Sequence, residues 1–337
     1  MAGKSGRSIA NVPVKSWKKT LFCWEGILVI LFILINILCR VLSPNYNITN
    51  VMREMPKFLT EMFLLFPMAY VLIIGEIDIS VGSIVCLAAT MACMATNKGL
   101  PFGAVVLICL AVGTACGLLN GLILTNFVEL PPMIVTLGTQ IVFRGIAEIA
   151  LGSGGSISLT NTEGFRMISQ RVGIVPYIFF AIVFFAVIFT VVLAKTTFGR
   201  SVYAIGSNRL AAFYSGIPVQ KIRLIIYTAL GFMGGISALF LISVLFGANT
   251  TTANGFELNA IAMAVFGGIS TAGGKGRLIG GITSGLTIIC LRIGLGQINM
   301  NSQLILIILG ILLILAVLLP NVAGKINIKK KAVLAAK

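Results

Sequence analysis

Apolar residues run along this chain in long blocks separated by short polar joints. Ten blocks stand out, at roughly 22–42, 59–75, 80–97, 102–125, 131–151, 173–194, 223–246, 258–273, 277–296 and 303–320. Many approach the ~20 residues that a helix needs to cross a bilayer. A lone strand cannot satisfy its backbone in lipid, so each block predicts a helix. The expected fold is all-α: a polytopic membrane protein of about ten transmembrane helices in two inverted five-helix halves. An odd number of spans per half gives the halves opposite orientations, as inverted repeats require. A short echo points the same way, since "GEIDISVG" opens the third span and "GFELNAIA" the eighth. Glycines recur within the spans (Gly113, Gly117, Gly121; Gly234, Gly235; Gly280, Gly281, Gly285), where small residues let helix backbones approach closely.

Composition agrees with the pattern. Of the 337 residues, 58% are hydrophobic and only 10% charged, against about 25% charged in a soluble domain. The formal net charge of +16 does not imply nucleic acid, because the cations flank apolar blocks. An even number of spans places both termini on one side. That side collects most of the Lys and Arg, while the other holds Arg40, Arg53, Lys57, Lys98, Arg166, Arg171 and Arg292. The positive-inside rule makes the richer side cytoplasmic. The expected organisation is a basic cytoplasmic segment over 1–20, a membrane region over 21–322 with a cytoplasmic loop at 195–223, and a basic cytoplasmic tail over 323–337. The first apolar block continues to about Leu42 without a small-residue cleavage site, so it reads as a retained span and not a signal peptide. The seven cysteines form no C-x-x-C pair and fall almost entirely within apolar spans, as small hydrophobes. Histidine is absent, which removes the usual general base and the commonest metal ligand. No cofactor is expected. "GGISTAGGKG" (267–276) resembles a phosphate loop, but it has Ile269 where the first glycine belongs and Gly276 where Ser or Thr must follow Lys275.

The polar residues inside the apolar blocks are the candidates for chemistry. Glu76, Asp78 and Ser80 lie in "IIGEIDISVGS". Acids in such surroundings are expensive and are usually functional, although Asp78 or Ser80 could simply cap the next helix. Thr136, Gln140 and Arg144 recur every four residues, so they share one helix face, and Glu148 extends it. Such a stripe either binds helices together or lines a pathway. Glu257 and Asn259 sit in the echoing stretch of the eighth span.

The longest polar interruption is "FGRSVYAIGSNRLAAFYSGIPVQKIR", with four cations and no acid. Ser207 and Asn208 are good N-cap residues, "RLAAFYS" follows with helix formers, and Gly216 before Pro218 is a natural stop. A two-turn helix is predicted, exposing Arg209, Phe213 and small residues. A free helix so short is marginal, so the membrane surface or a soluble partner must hold it.

"GRSVYAIGSNRLAAFYSGIPV" resembles the coupling-loop motif of permease subunits of bacterial ABC importers of the ribose-type sugar permease family. "IDISVGS", "NGLILTNFVELPPMIVTLGTQIVFRG" and "ELNAIAMAVFGGISTAGGKG" are similar to that family's other signatures, in order, over roughly Glu76 to Asn321. The branched-chain amino acid permeases are a related branch with weaker likeness. The family usually has glycine at the position of Glu76 and commonly aspartate at that of Asn259, so one acid is gained and one lost.

The resemblance implies a non-enzymatic, multi-pass subunit of the bacterial inner membrane, with both termini cytoplasmic. It implies three protein partners: a cytoplasmic ATP-binding subunit, an extracytoplasmic sugar-binding protein, and a second permease copy or a paralogue. The ATPase would dock on Gly206, Ser207, Asn208, Arg209, Ala211, Ala212, Ser215 and Gly216. Glu76, Asp78, Ser80, Thr136, Gln140, Arg144, Glu257 and Asn259 would flank the route of a sugar or sugar-like solute, of the ribose, rhamnose or autoinducer-2 class. The alternatives are a proton-driven secondary transporter using Glu76 and Asp78, or a branched-chain amino acid permease of the related branch.

Overall fold

The computed structural model describes residues 24–301, together with 303–305, 307–308, 310–311 and 314. The basic segment expected over 1–20, the tail over 323–337 and most of the tenth span lie outside the described residues. The helices are α1 (Trp24–Leu42), α2 (Ile48–Glu54), α3 (Pro56–Ile73), α4 (Val81–Asn97), α5 (Phe102–Asn126), α6 (Pro132–Leu151) and α7 (Glu163–Ile168). They continue with α8 (Tyr177–Lys195), α9 (Thr197–Ser207), α10 (Arg209–Tyr214), α11 (Val219–Leu245), α12 (Phe256–Phe266) and α13 (Leu278–Gln297). Two small antiparallel ladders join them: β1 (Ser156–Ser158) with β4 (Gly247–Asn249), and β2 (Arg171–Val172) with β3 (Val175–Pro176). Seven helices are long and apolar enough to cross a membrane, and α4 and α12 are the shorter apolar ones. The first nine apolar blocks thus each hold an apolar helix.

Local chemistry sets the helix ends. Pro56 and Pro132 open α3 and α6, where a missing N–H removes no helical bond. Asn47 caps α2 by accepting the Asn50 N–H at 2.9 Å. The eighth block was expected to run over 258–273, but α12 stops at Phe266. Gly268, Gly273 and Gly274 then take positive φ and turn the chain back. At 11 residues, α12 rises only ~16 Å, too short for a ~30 Å hydrocarbon layer. Its N-terminus meets that of α4 inside the protein: Gly82 packs against the Glu257 carboxylate and the Ala253 carbonyl. The two helices diverge from there. α4 runs to the end where Asn97 bonds Ser158 and Thr160, and α12 runs to the end where Trp24 donates to the Phe266 carbonyl at 3.1 Å.

α3, α4, α11 and α13 form the enclosed centre, while α1, α5, α6 and α8 keep bare apolar faces toward lipid. α5 and α11 make the closest helix pair. Any side chain at Gly117 would strike the Tyr227 carbonyl, and one at Gly231 would strike the Gly113 carbonyl. Cys109 adds a thiol hydrogen bond to the Gly235 carbonyl at 3.3 Å. Apolar burial does not drive helices together in lipid, so backbone contact of this kind carries the packing.

The polar island holds two helices. α9 covers Thr197–Ser207, a stretch the sequence had not assigned to a helix, and α10 covers Arg209–Tyr214. Gly206 therefore sits within a helix. Any side chain there would strike the Ile73 carbonyl and the Gly274 nitrogen, and the Gly274 N–H donates to that same Ile73 carbonyl at 2.8 Å. Three chain segments thus touch backbone to backbone at one end of the protein. Tyr203 reinforces the junction with a 2.7 Å bond to the Gly276 carbonyl.

Candidate functional site

Polar residues gather in two connected clusters along the inner side of α4. The first lies in the loop 74–80 between α3 and α4, at the α9–α10 end. Gly75 turns the chain there with φ +80°. Asp78 is buried, and its Oδ1 accepts from the Ser80 N–H and from the Ser80 hydroxyl, both at 2.7 Å. The Ser80 oxygen in turn accepts from the Asn120 amide of α5 at 2.8 Å. Thr136 of α6 accepts the Ile79 N–H at 3.3 Å. This turn leads into α4, but neither Asp78 nor Ser80 accepts an N–H of the helix itself, so the side-chain cap that the sequence allowed is not made. The turn also leaves Asp78 Oδ2 and Asn120 Oδ1 buried with no hydrogen-bond partner among the described residues, and such atoms are unusual in a finished fold.

Glu76 adds charge to the same cluster. Its carboxylate takes the Arg223 Nε at 2.7 Å from Oε1 and 2.9 Å from Oε2. The Tyr227 hydroxyl donates to Oε2 at 3.0 Å, and Arg209 on α10 stands 3.7 Å from Oε1. Arg223 is only 2% exposed and also donates to the Leu124 carbonyl at the end of α5. The sequence had set Arg223 among the loop cations; the structure buries it at the first turns of α11.

The second cluster is where α4 and α12 meet. Arg144 of α6 donates to the carbonyls of Thr250 and Thr252 at 3.1 and 2.8 Å. It thereby holds the segment between β4 and α12, while Glu148, its expected neighbour, lies exposed. Cys86 reaches the Asn249 carbonyl at 3.7 Å. Glu257 is buried, and its Oε2, like the hydroxyls of Ser83 and Thr90, has no hydrogen-bond partner among the described residues. Gln140 lies half-buried on α6 between Thr136 and Arg144. Asn259 lies half-buried on α12. Glu61 is paired through both oxygens with Arg292 of α13 at 2.9 Å, and the Arg292 guanidinium lies 4.5 Å over the Phe58 ring.

On α10, Asn208 accepts the Ala211 N–H at 3.0 Å, and Ser215 donates to the Ala211 carbonyl at 2.8 Å. Gly216 ends the helix with φ +81°. Ser207, Asn208, Ala211, Ser215 and Gly216 are exposed, whereas Ala212 is buried. Arg209 turns inward to Glu76, in contrast to the expected exposure. The outer face belongs to Leu210, Phe213 and Tyr214, with Tyr214 83% exposed.

Sequence reasoning missed Asn120, Arg223, Tyr227 and the Glu61–Arg292 pair. Asn120 was visible as a lone amide in the apolar run "GLLNGLIL", and Arg223 with Tyr227 as a polar pair four residues apart at the head of a span. Neither signal reveals its partner, 40 residues away for Asn120 and 147 and 151 for Arg223 and Tyr227.

Comparison with known proteins agrees with this arrangement. The family model described as branched-chain amino acid transport system / permease component matches residues 59–317. The chain is 36% identical over 294 residues to the ribose import permease protein of Bacillus subtilis, covering 86% of this chain and 90% of that protein. It is 32% identical to the D-allose transport system permease protein of Escherichia coli, covering 84% and 87%. It is 29% identical to the autoinducer 2 import system permease protein of Photorhabdus temperata, covering 87% and 90%. No solved structure matches the chain. With most of its length matched by the family model and by these relatives, the chain belongs to the permease components of binding-protein-dependent transport systems, on their ribose-type side, as a multi-pass protein of the inner membrane.

Proposed function

We propose that this chain is the membrane-spanning subunit of an ATP-driven importer for a sugar or sugar-like solute, of the class that its relatives' names give as ribose, D-allose and autoinducer 2. A separate ATPase docks on the exposed face of α10, an extracytoplasmic binding protein delivers the solute, and a second permease copy or a paralogue completes the pathway. Both termini and the 195–223 loop face the cytoplasm, following the distribution of Lys and Arg. The membrane region spans 21–322, and its third and eighth spans correspond as the two short helices whose N-termini meet.

One observation carries the reading. A line of hydroxyl, amide and carboxyl groups follows α4 through the protein, from Asp78, Ser80 and Thr136 past Ser83 and Gln140 to Arg144 and Glu257, and several of its buried oxygens have no partner among the described residues. A sugar offers many hydroxyls and no charge, so it suits a route rich in donors and acceptors. Glu76 stands at the inner mouth. Asn259, half-buried on α12, is kept among the residues flanking the route.

The test is reconstitution of the permease with its ATPase and binding protein in ATP-loaded proteoliposomes, using labelled D-ribose, D-allose and autoinducer 2. ATP-dependent uptake of at least one, unchanged by a protonophore, is expected. Uptake abolished by the protonophore would make the chain a proton-driven carrier, and no uptake of any of the three would remove the sugar assignment.

A further inference from the structure

We propose that Glu76 is a buried clasp through which α10 moves the inner end of the pathway, with Arg209 of α10 and Arg223 of α11 sharing its single carboxylate. The inference deepens the proposed function and rests on that reading of the chain as an ATP-driven permease.

The two arginines hold Glu76 unequally. Arg223 is enclosed and touches both carboxylate oxygens, at 2.7 and 2.9 Å. Arg209 is 38% exposed in its side chain and sits 3.7 Å away, beyond hydrogen-bond length. Displacement of α10 therefore releases Arg209 first, while Glu76 keeps Arg223 and the Tyr227 hydroxyl. Neither state strands the carboxylate, which is what an exchangeable contact requires. The Arg223 NH2 group has no partner among the described residues, so the guanidinium retains a free donor when its neighbour moves.

The consequence reaches the route because Glu76 and Asp78 share one short loop. Asp78 is tied through Ser80 to Asn120, and Ile79 is tied to Thr136. Arg223 also grips the Leu124 carbonyl at the end of α5. Movement of Glu76 is thus passed to the ends of α4, α5, α6 and α11 together. The second link between α9–α10 and the centre, at Gly206, Ile73 and Gly274, is direct backbone contact with no slack. The backbone junction serves as the pivot and the charge contact as the part that changes partners.

Three variants test this: Arg209→Gln, the charge-neutral pair Glu76→Gln with Arg223→Met, and all three changes together. The pair is used because removing one partner alone leaves an isolated buried charge, whereas replacing both is tolerated far better. Each is reconstituted with the ATPase and binding protein, and uptake per ATP hydrolysed is measured with whichever of the three labelled solutes the wild type carries. Amide exchange over 74–80 and 208–216 is measured on the permease alone. Arg209→Gln should lower uptake per ATP by up to about fivefold, the loss expected for one partly exposed ion pair, with ATPase binding to the permease unchanged. It should also raise exchange in 74–80, which it does not adjoin in sequence. The triple variant should be no worse than the pair, since Arg209 acts through Glu76. Additive losses, wild-type coupling in Arg209→Gln, or a loss confined to ATPase binding would each overturn the clasp. If the pair does not insert, Arg209→Gln decides alone. A wild type that moves no solute defeats the transport reading and leaves the exchange measurement to judge the clasp.

Discussion

Two buried arginine–glutamate pairs stand at opposite ends of this protein, and they are built differently. Glu61 and Arg292 both sit on long helices, meet through two 2.9 Å bonds from one guanidinium nitrogen, and are covered by the Phe58 ring. Glu76 lies in a loop, its Arg223 partner has a nitrogen without a bond among the described residues, and a second arginine waits at 3.7 Å. A pair mounted on two long helices makes a brace. A pair with its acid on a loop and a second arginine close by makes a contact that can change. The ion pair is chemically the same in both places; what differs is what it is mounted on and whether another partner stands within reach.

The largest effect expected from this comparison is at the brace. Arg292→Ala strands the buried Glu61 carboxylate and should destabilise the fold by about 3–5 kcal/mol, read as loss of folded protein from the membrane. Neutralising both partners, Glu61→Gln with Arg292→Met, should recover most of it. Next is Gly206→Val, which drives a branched side chain into the Ile73 carbonyl. Forced overpacking of this kind costs about 1–3 kcal/mol, and the variant should remain in the membrane with a lower melting temperature and sharply reduced uptake per ATP. Tyr227→Phe removes one bond to Glu76 and should lower melting stability by about 1.5 kcal/mol. Smallest is Thr136→Val, a near-isosteric change that frees the Ile79 N–H at a cost of about 1 kcal/mol. If Thr136 belongs to the route, uptake per folded molecule falls. If it only binds helices together, the folded amount falls and transport per molecule stays normal.

The architecture was legible in the sequence because a membrane span announces itself: the apolar blocks 22–42 through 277–296 each hold an apolar helix. The edges moved where glycine acts locally, as at Gly268, whose positive φ ends the eighth block early. The polar island held a helix, α9, that the sequence had not marked, and Gly206 within it lets that helix touch the end of α3 and the 267–277 loop. The short helix α10 was legible through Asn208 and Gly216, which cap and stop it as expected. The direction of Arg209 was not, because a six-residue helix has too few turns for its pattern to fix which side faces the protein. Arg144 and Glu148 share a helix face by spacing, but the carbonyls of Thr250 and Thr252 compete for the guanidinium and win. Spacing along one helix cannot show what a distant re-entrant segment brings to it.

Uptake per ATP hydrolysed, compared between the two neutralised pairs, tests the central distinction most directly. Both Glu61→Gln/Arg292→Met and Glu76→Gln/Arg223→Met are purified as folded complexes with the ATPase and binding protein and assayed side by side. The first should couple like wild type, because a brace only holds; the second should fall about tenfold, because a moving contact has been removed. Equal coupling in the two variants would contradict the account and reduce Glu76 to a second brace.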